Sequence, residues 1–299
     1  MSIDITTDLQ HAVEDAAAHL YVWALKDIPQ DLRDALAEAR ERETSVPGRR
    51  VLETIHRNIN VADSERNLVC QDTGIAVYHA KVGEHFPLHP ARIYESLKAG
   101  TARATLDHPL RSNAVHTITR ENTGPNTGYR LPIVHWEFVP DWDGLDVKCV
   151  PKGSGSENMS FLKMCVPADG VKGIKQFVLE SIVGAGGKPC PPGIVGVGIG
   201  GSADYAMYLA KGAIMRPIGS RNSDPLVAEL EDELFELLNE TGIGPMGLGG
   251  DVTVLQCHIE HADTHMTLNP VAVNYQCWAA RRASAHVHPD GTVEYDREA

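Results

Sequence analysis

A cysteine and a carboxylate sit almost side by side in "NLVCQDTGIAVYHA", where Cys70 is followed by Gln71 and Asp72. A thiolate can ligate a metal, and a carboxylate of suitable basicity can take or relay a proton. Cys190 stands in "GKPCPPG", where prolines fix the chain just past the sulfur, as a Cys–Pro step does in ferredoxin cluster loops. Cys277 stands in "NYQCWAARR", ahead of two arginines. The other three cysteines, Cys149, Cys165 and Cys257, lie in apolar surroundings ("VKCVP", "KMCVP", "VTVLQC") and read as small core residues. No C-x-x-C pattern links any of them, so spacing alone selects no ligand set.

Three further patterns could carry chemistry. Arg111, in "HPLRSNAVHTITRENTGPNTG", follows a Pro–Leu bend and precedes a loop of Asn, Thr and Gly. A fixed guanidinium matches a carboxylate bidentately, so Arg111 is a candidate dicarboxylate clamp, although taken alone it reads first as a surface or structural arginine. "GVGIGG" at 196–201 fits G-x-G-x-x-G between an apolar strand and a helix. The acid that a dinucleotide site needs about 20 residues on is missing. Arg216 and Arg221 stand in that window instead, and tight strand–helix packing is the simpler account. "CHIEHADTHM" spaces His258, His261 and His265 so that a helix would stack them for zinc. The preceding "GGDVTVLQCHIE" reads as a strand, which splits that face and leaves a single functional histidine as the expectation.

These groups need elements to position them. Residues 8–63 alternate apolar and charged positions at helical spacing, and Pro29 and the "VPG" at 46–48 break them into three helices. From Asn67 to about Val150 come β-type runs, interrupted by a helix at about 90–105. "ADGVKGIKQFVLESIVGAGG" is a helix, and "PPGIVGVGIGG" is a strand leading into a helix with Ser202 as its N-cap. In "DPLVAELEDELFELLNETG" Asp224 caps and Pro225 opens a helix whose stripe of Leu226, Leu230, Leu234, Leu237 and Leu238 is expected to be core. The tail after about 285 adds a hairpin or a strand. The expected fold class is mixed α/β (α+β), a helical N-terminal segment (about 8–63) followed by a mixed sheet with flanking helices (about 67–290). One domain is expected over residues 1–299.

Hydrophobic residues make up 42% of the 299 and charged residues 22%, which is ordinary for a soluble protein. A formal net charge of −13 argues against nucleic acid as a partner, but a few arginines in a cleft could still gather a small anion. No leader pattern opens the sequence, and no apolar run reaches the ~18 residues of a membrane span. The expected location is cytoplasmic, where thiols stay reduced and a disulfide framework is not expected.

Taken in order, "CQDTG", "PKGSGSENMS", "PCPPGIVGVGIGGSADYAMYLAKGAI", "RPIGSR" and "HIEHADTHMTLNPVAVNYQCWAARR" resemble the class I, iron–sulfur fumarate hydratases. They are equally similar to the α subunit of L(+)-tartrate dehydratase, and the resemblance runs from about residue 10 to 290. It implies a 4Fe–4S cluster held by Cys70, Cys190 and Cys277, with one iron that has no cysteine ligand. It also implies substrate contacts from Gln71, Arg111, Gly153 and Ser154, and catalytic roles for Asp72 and His265. The chemistry is coherent, because an open metal position can act as a Lewis acid on a hydroxyl while a carboxylate handles the proton. A redox module is disfavoured, since electron-transfer clusters usually have four protein ligands.

Two departures from the family pattern stand out. Members commonly read Lys-Gly-Gly-Gly where this chain has Lys152, Gly153, Ser154 and Gly155, so Ser154 is expected to alter a contact to a substrate carboxylate. Single-chain members carry a further C-terminal domain that supplies more arginines, a lysine and a threonine. The expectation is therefore an α subunit that works with a smaller β subunit in a hetero-oligomer. The "KGSGSEN" loop tilts the expected substrate toward fumarate and malate, with tartrate and mesaconate as alternatives.

Overall fold

The computed structural model describes residues 5–122 and 124–296. The first four and the last three residues lie outside that set. In chain order come α1 (Ile5–Lys26), α2 (Gln30–Arg42), α3 (Val46–Glu65), β1 (Ile75–Gly83), α4 (Pro90–Asp107), β2 (Ile133–Val139), β3 (Leu145–Lys152) and the single turn α5 (Ser154–Glu157). They are followed by β4 (Phe161–Cys165), α6 (Gly170–Ala185), β5 (Gly193–Gly201), α7 (Ala203–Ala213), α8 (Pro225–Asn239), β6 (Val254–Thr264), β7 (Asn269–Gln276), β8 (Ala283–Val287) and β9 (Val293–Tyr295). The three N-terminal helices, the mixed sheets and the closing β8–β9 hairpin are as the patterning implies. No described helix is long and apolar enough to cross a membrane.

The chain divides into two compact units. The first takes the residues up to Pro29, Ala62–Gly153, and the chain from Arg281 onward. Its five strands run in the order β2-β1-β3-β8-β9, with β1 and β2 parallel and the other pairs antiparallel. Alternation along β1 buries Ala76, Tyr78, Ala80 and Val82 in a core shared with Leu20 and Tyr21 of α1 and Ile93 and Leu97 of α4. Gly100 lets the two helices meet closely, for a Cβ there would lie 2.3 Å from the Glu14 carbonyl oxygen.

The second unit comprises Gln30–Val61 and Ser154–Ala280, with strands in the order β4-β7-β5-β6. Helices α6 and α8 cover one face, where Ile182 and Leu234 meet Val195, Val197, Cys257 and Val273. On α8, Asp224 caps as expected by accepting from the Leu226 amide at 2.9 Å, and Leu230, Leu234 and Leu238 are buried. Leu226 is the exception to the expected core stripe: at the first turn of the helix it is 77% exposed. Ser202 stands at the N-cap of α7, but its hydroxyl donates to the Asp204 carboxylate rather than accepting from a helix amide.

Glu43 is fully buried at the turn between α2 and α3, and its carboxylate accepts from the amides of Ser45, Asp251 and Val252 at 2.8–3.1 Å. Ionised acceptors of this kind fix loops strongly, and here one side chain joins two turns.

Candidate active site

In the first unit, the chain leaves α3 in a loop that carries Cys70 and Gln71 to the tight turn Asp72–Gly74. Asp72 Oδ1 accepts from the Gly74 amide at 3.0 Å, and Gly74 has φ +68°. A Cβ at Gly74 would lie 2.7 Å from the Lys152 carbonyl carbon, so the glycine of "CQDTG" is required by both conformation and space. Tyr21 braces the turn from the core, its hydroxyl 3.3 Å from the Thr73 carbonyl oxygen and 3.2 Å from that of Gly74. Burial pushes the Tyr21 hydroxyl well above its ordinary pKa, so it stays a donor.

Thr73 joins this turn to the Arg111 loop, its hydroxyl donating to the Arg111 carbonyl at 2.8 Å. Asn113 donates to Thr73 Oγ1 at 2.9 Å and to the Gly74 carbonyl at 3.1 Å, and Asn126 donates to the Arg111 carbonyl at 2.8 Å. The main chain of Arg111 is thus anchored from two sides while its side chain remains exposed. Gln71 is exposed, and Cys70 and Asp72 are half-buried. Gly153 is buried beside the carboxylate, and a Cβ on it would sit 3.1 Å from Asp72 Oδ2. Cys70, Gln71, Asp72, Arg111 and Gly153 therefore belong to one braced assembly.

In the second unit, the amide of Trp278 donates to the carbonyl of Cys190 at 3.1 Å, which brings the Cys277 and Cys190 segments together. Cys190 is exposed with φ +58°, and the amide of Met246 holds the following Pro191 carbonyl at 2.8 Å. Cys277 is half-buried. Burial raises the Tyr275 hydroxyl pKa, and the nearby charges of Cys277 and Cys190 add to that shift. His265 is exposed on the turn between β6 and β7, with Nδ1 2.9 Å from Thr267 Oγ1. Ser154 is exposed at the start of α5.

The six cysteines separate cleanly. Cys149, Cys165 and Cys257 are buried, and burial pushes all three thiols above their ordinary pKa. Such thiols are poor ligands, because the thiolate form is suppressed. Cys190 is exposed, Cys70 and Cys277 are half-buried, and none of the six forms a disulfide. Cys70, Cys190 and Cys277 each lie on a loop rather than in a strand, and thiols of this kind are the donor type that iron–sulfur centres use.

The weaker patterns resolve differently. His258 and His261 lie on strand β6 and His265 beyond its end, so no helical face stacks them. The glycines of "GVGIGG" serve packing, for a Cβ at Gly196 would meet the Ala210 carbonyl oxygen at 2.3 Å and one at Gly198 the Ala206 oxygen at 2.0 Å. Arg216 pairs with Glu231 at 2.7 Å and Glu260 at 3.2 Å, and Arg221 pairs with Asp232.

Sequence reasoning passed over a supporting cluster and a buried cation. Glu157 on α5 pairs with Lys211 on α7, and Asn274 on β7 donates to Ser160 Oγ at 2.7 Å and to Glu157 at 3.5 Å. These residues stand in "GSGSEN", "LAKGAI" and "AVNYQC", so membership of the matched motifs was the available signal. Arg281, the first of the two arginines after Cys277, donates to the Asp72 carbonyl at 2.6 Å.

Asp72 and Gln71 on their turn and Arg111 on the loop bonded to it thus gather a carboxylate, an amide and a guanidinium in the first unit. A family model described as "Fumarate hydratase (Fumerase)" matches residues 14–286. The chain belongs to that family, and it is a hydro-lyase. Over 283 residues, 94% of this chain and 99% of the relative, it is 45% identical to the "Putative L(+)-tartrate dehydratase subunit alpha" of Methanocaldococcus jannaschii. Over 267 residues, 89% of this chain and 88% of the relative, it is 41% identical to the "L(+)-tartrate dehydratase subunit alpha" of Escherichia coli strain UTI89.

Proposed function

We propose that this chain is the α subunit of a two-subunit iron–sulfur hydro-lyase that reversibly hydrates fumarate to L-malate, its two compact units serving as one α-subunit domain. The observation that carries the reading is the separation of the cysteines, with Cys70, Cys190 and Cys277 outside the core and each inside a family motif. They would hold a 4Fe–4S cluster that, when bound, supplies a Lewis acid for the substrate hydroxyl at its one iron without a cysteine ligand.

The remaining chemistry falls to side chains. Asp72 takes or relays the proton at the carbon beside the hydroxyl-bearing one, and its half-buried place on a braced turn suits that task. Arg111 clamps one carboxylate, and the hydrogen bonds to its main chain limit where the guanidinium can reach. Gln71 and the backbone at Gly153 and Ser154 bind the substrate's oxygens, and His265 serves as a second catalytic group. A dicarboxylate needs a second clamp, which a β subunit would supply.

A second reading, L(+)-tartrate dehydration, is favoured by the names of the relatives; mesaconate is a further candidate substrate. Co-expression with the β-type partner, purified without oxygen and assayed on L-malate, fumarate, L-tartrate and mesaconate, separates these readings. We expect malate–fumarate turnover by the pair and little by this chain alone. Full activity of the single chain would contradict the two-subunit reading.

A further inference from the structure

Among the described residues Arg281 is the largest fully buried side chain by volume, at 2% exposure. Its Nη1 donates to the Asp72 carbonyl at 2.6 Å. A Cβ at Gly153 would lie 3.3 Å from Arg281 Nη2 and 3.1 Å from Asp72 Oδ2, so the guanidinium and the carboxylate converge on one glycine. Arg281 Nε is buried and has no hydrogen-bond partner among the described residues. Burying a cation with incomplete hydrogen bonding is unfavourable, and an apolar residue of similar volume is often at least as stable in such a place. Fold stability therefore does not account for an arginine here. What its planar fork adds is a directional bond to the main chain of Asp72 and a fixed positive charge near that side chain.

We propose that Arg281 is a positioning residue for Asp72. It anchors the turn from one side as Tyr21 does from the core, and the bare α-carbon of Gly153 leaves room for the guanidinium and the carboxylate together. The inference rests on the reading of Asp72 as a catalytic group. Positioning partners one step removed from a metal or catalytic centre typically change activity by about 10–100-fold when lost.

The test uses Arg281→Met, Arg281→Lys and Asp72→Asn in the anaerobically purified two-chain enzyme, with hydrogen–deuterium exchange of the 68–75 segment measured in this chain. Arg281→Met is expected to keep its melting temperature, iron and sulfide, to lose about 10–100-fold in kcat with KM little changed, and to exchange faster across 68–75. Arg281→Lys, which keeps the charge but not the fork, should recover part of the kcat. If the Met variant does not fold, the Lys variant decides: lowered kcat with faster exchange supports the proposal, and parental values of both overturn it. An inactive Asp72→Asn beside a fully active Arg281→Met overturns the positioning role and leaves the reading of Asp72 standing. A fully active Asp72→Asn overturns that reading, and the positioning role with it.

Discussion

The main-chain amide of Trp278 donates to the carbonyl of Cys190, 3.1 Å away, and so holds the Cys277 segment against a cysteine loop distant in sequence. Cys190 is exposed and Cys277 and Cys70 are half-buried, while the other three are enclosed by strands and helices. Alkylation of the reduced, cluster-free chain at about pH 8 should therefore label Cys70, Cys190 and Cys277 first. Peptide mapping would show Cys149, Cys165 and Cys257 labelled only after denaturation. Labelling of Cys257 as fast as that of Cys190 would contradict the separation.

The enclosed thiols also make stability depend on pH in a defined direction. Burial raises the pKa of Cys149 and Cys257 above the ordinary 9.0, so the folded chain keeps protons that the unfolded chain releases. Their contribution is fully present below pH 9.0 and is lost as pH rises beyond it. The urea midpoint should fall between about pH 8 and about pH 10, and Cys257→Ala should lessen that fall. A steeper fall in the variant would reverse the sign of the argument.

Gly198 faces α7, and any Cβ there would press on the Ala206 carbonyl oxygen at 2.0 Å. Gly198→Ala should cost about 1–3 kcal/mol or more in chemical denaturation, as overpacking does. Because these glycines serve packing, NAD or NADP should leave the melting temperature unchanged. A ligand at 100 times its Kd would stabilise by about 2.7 kcal/mol, which such a titration would register.

Much of the architecture is legible in the amino-acid sequence. The helix expected at about 90–105 is α4, and the Asp224–Pro225 pair stands at the start of α8 where the capping chemistry expects it. Leu226 was not legible, because periodicity sets which way a side chain faces but not how far along a helix its neighbour extends. The burial of Cys149, Cys165 and Cys257 followed from their apolar neighbours. The interest of Cys70, Cys190 and Cys277 as a set followed only from resemblance. The bonds between Arg281 and Asp72 and between Thr73 and Arg111 were beyond sequence reasoning, since each joins residues far apart in the chain through single donors that leave no periodic trace.

Leu226 and Leu234 differ in burial and so should differ in what they contribute to stability. Leu234 is fully buried on the same helix, so Leu234→Ala should cost about 2–5 kcal/mol in urea denaturation. Leu226→Ala, at an exposed position, should stay within about 0.5 kcal/mol of the parent. Equal losses at the two sites would show that the stripe is core along its whole length.

The most direct measurement is the iron and acid-labile sulfide content of anaerobically purified protein, compared across single Cys→Ser variants. Cys70→Ser, Cys190→Ser and Cys277→Ser should each lose most of both, whereas Cys165→Ser and Cys257→Ser, where they fold, should keep them. Loss of the cluster in Cys257→Ser with retention in Cys277→Ser, or a parent protein without iron, would contradict the account.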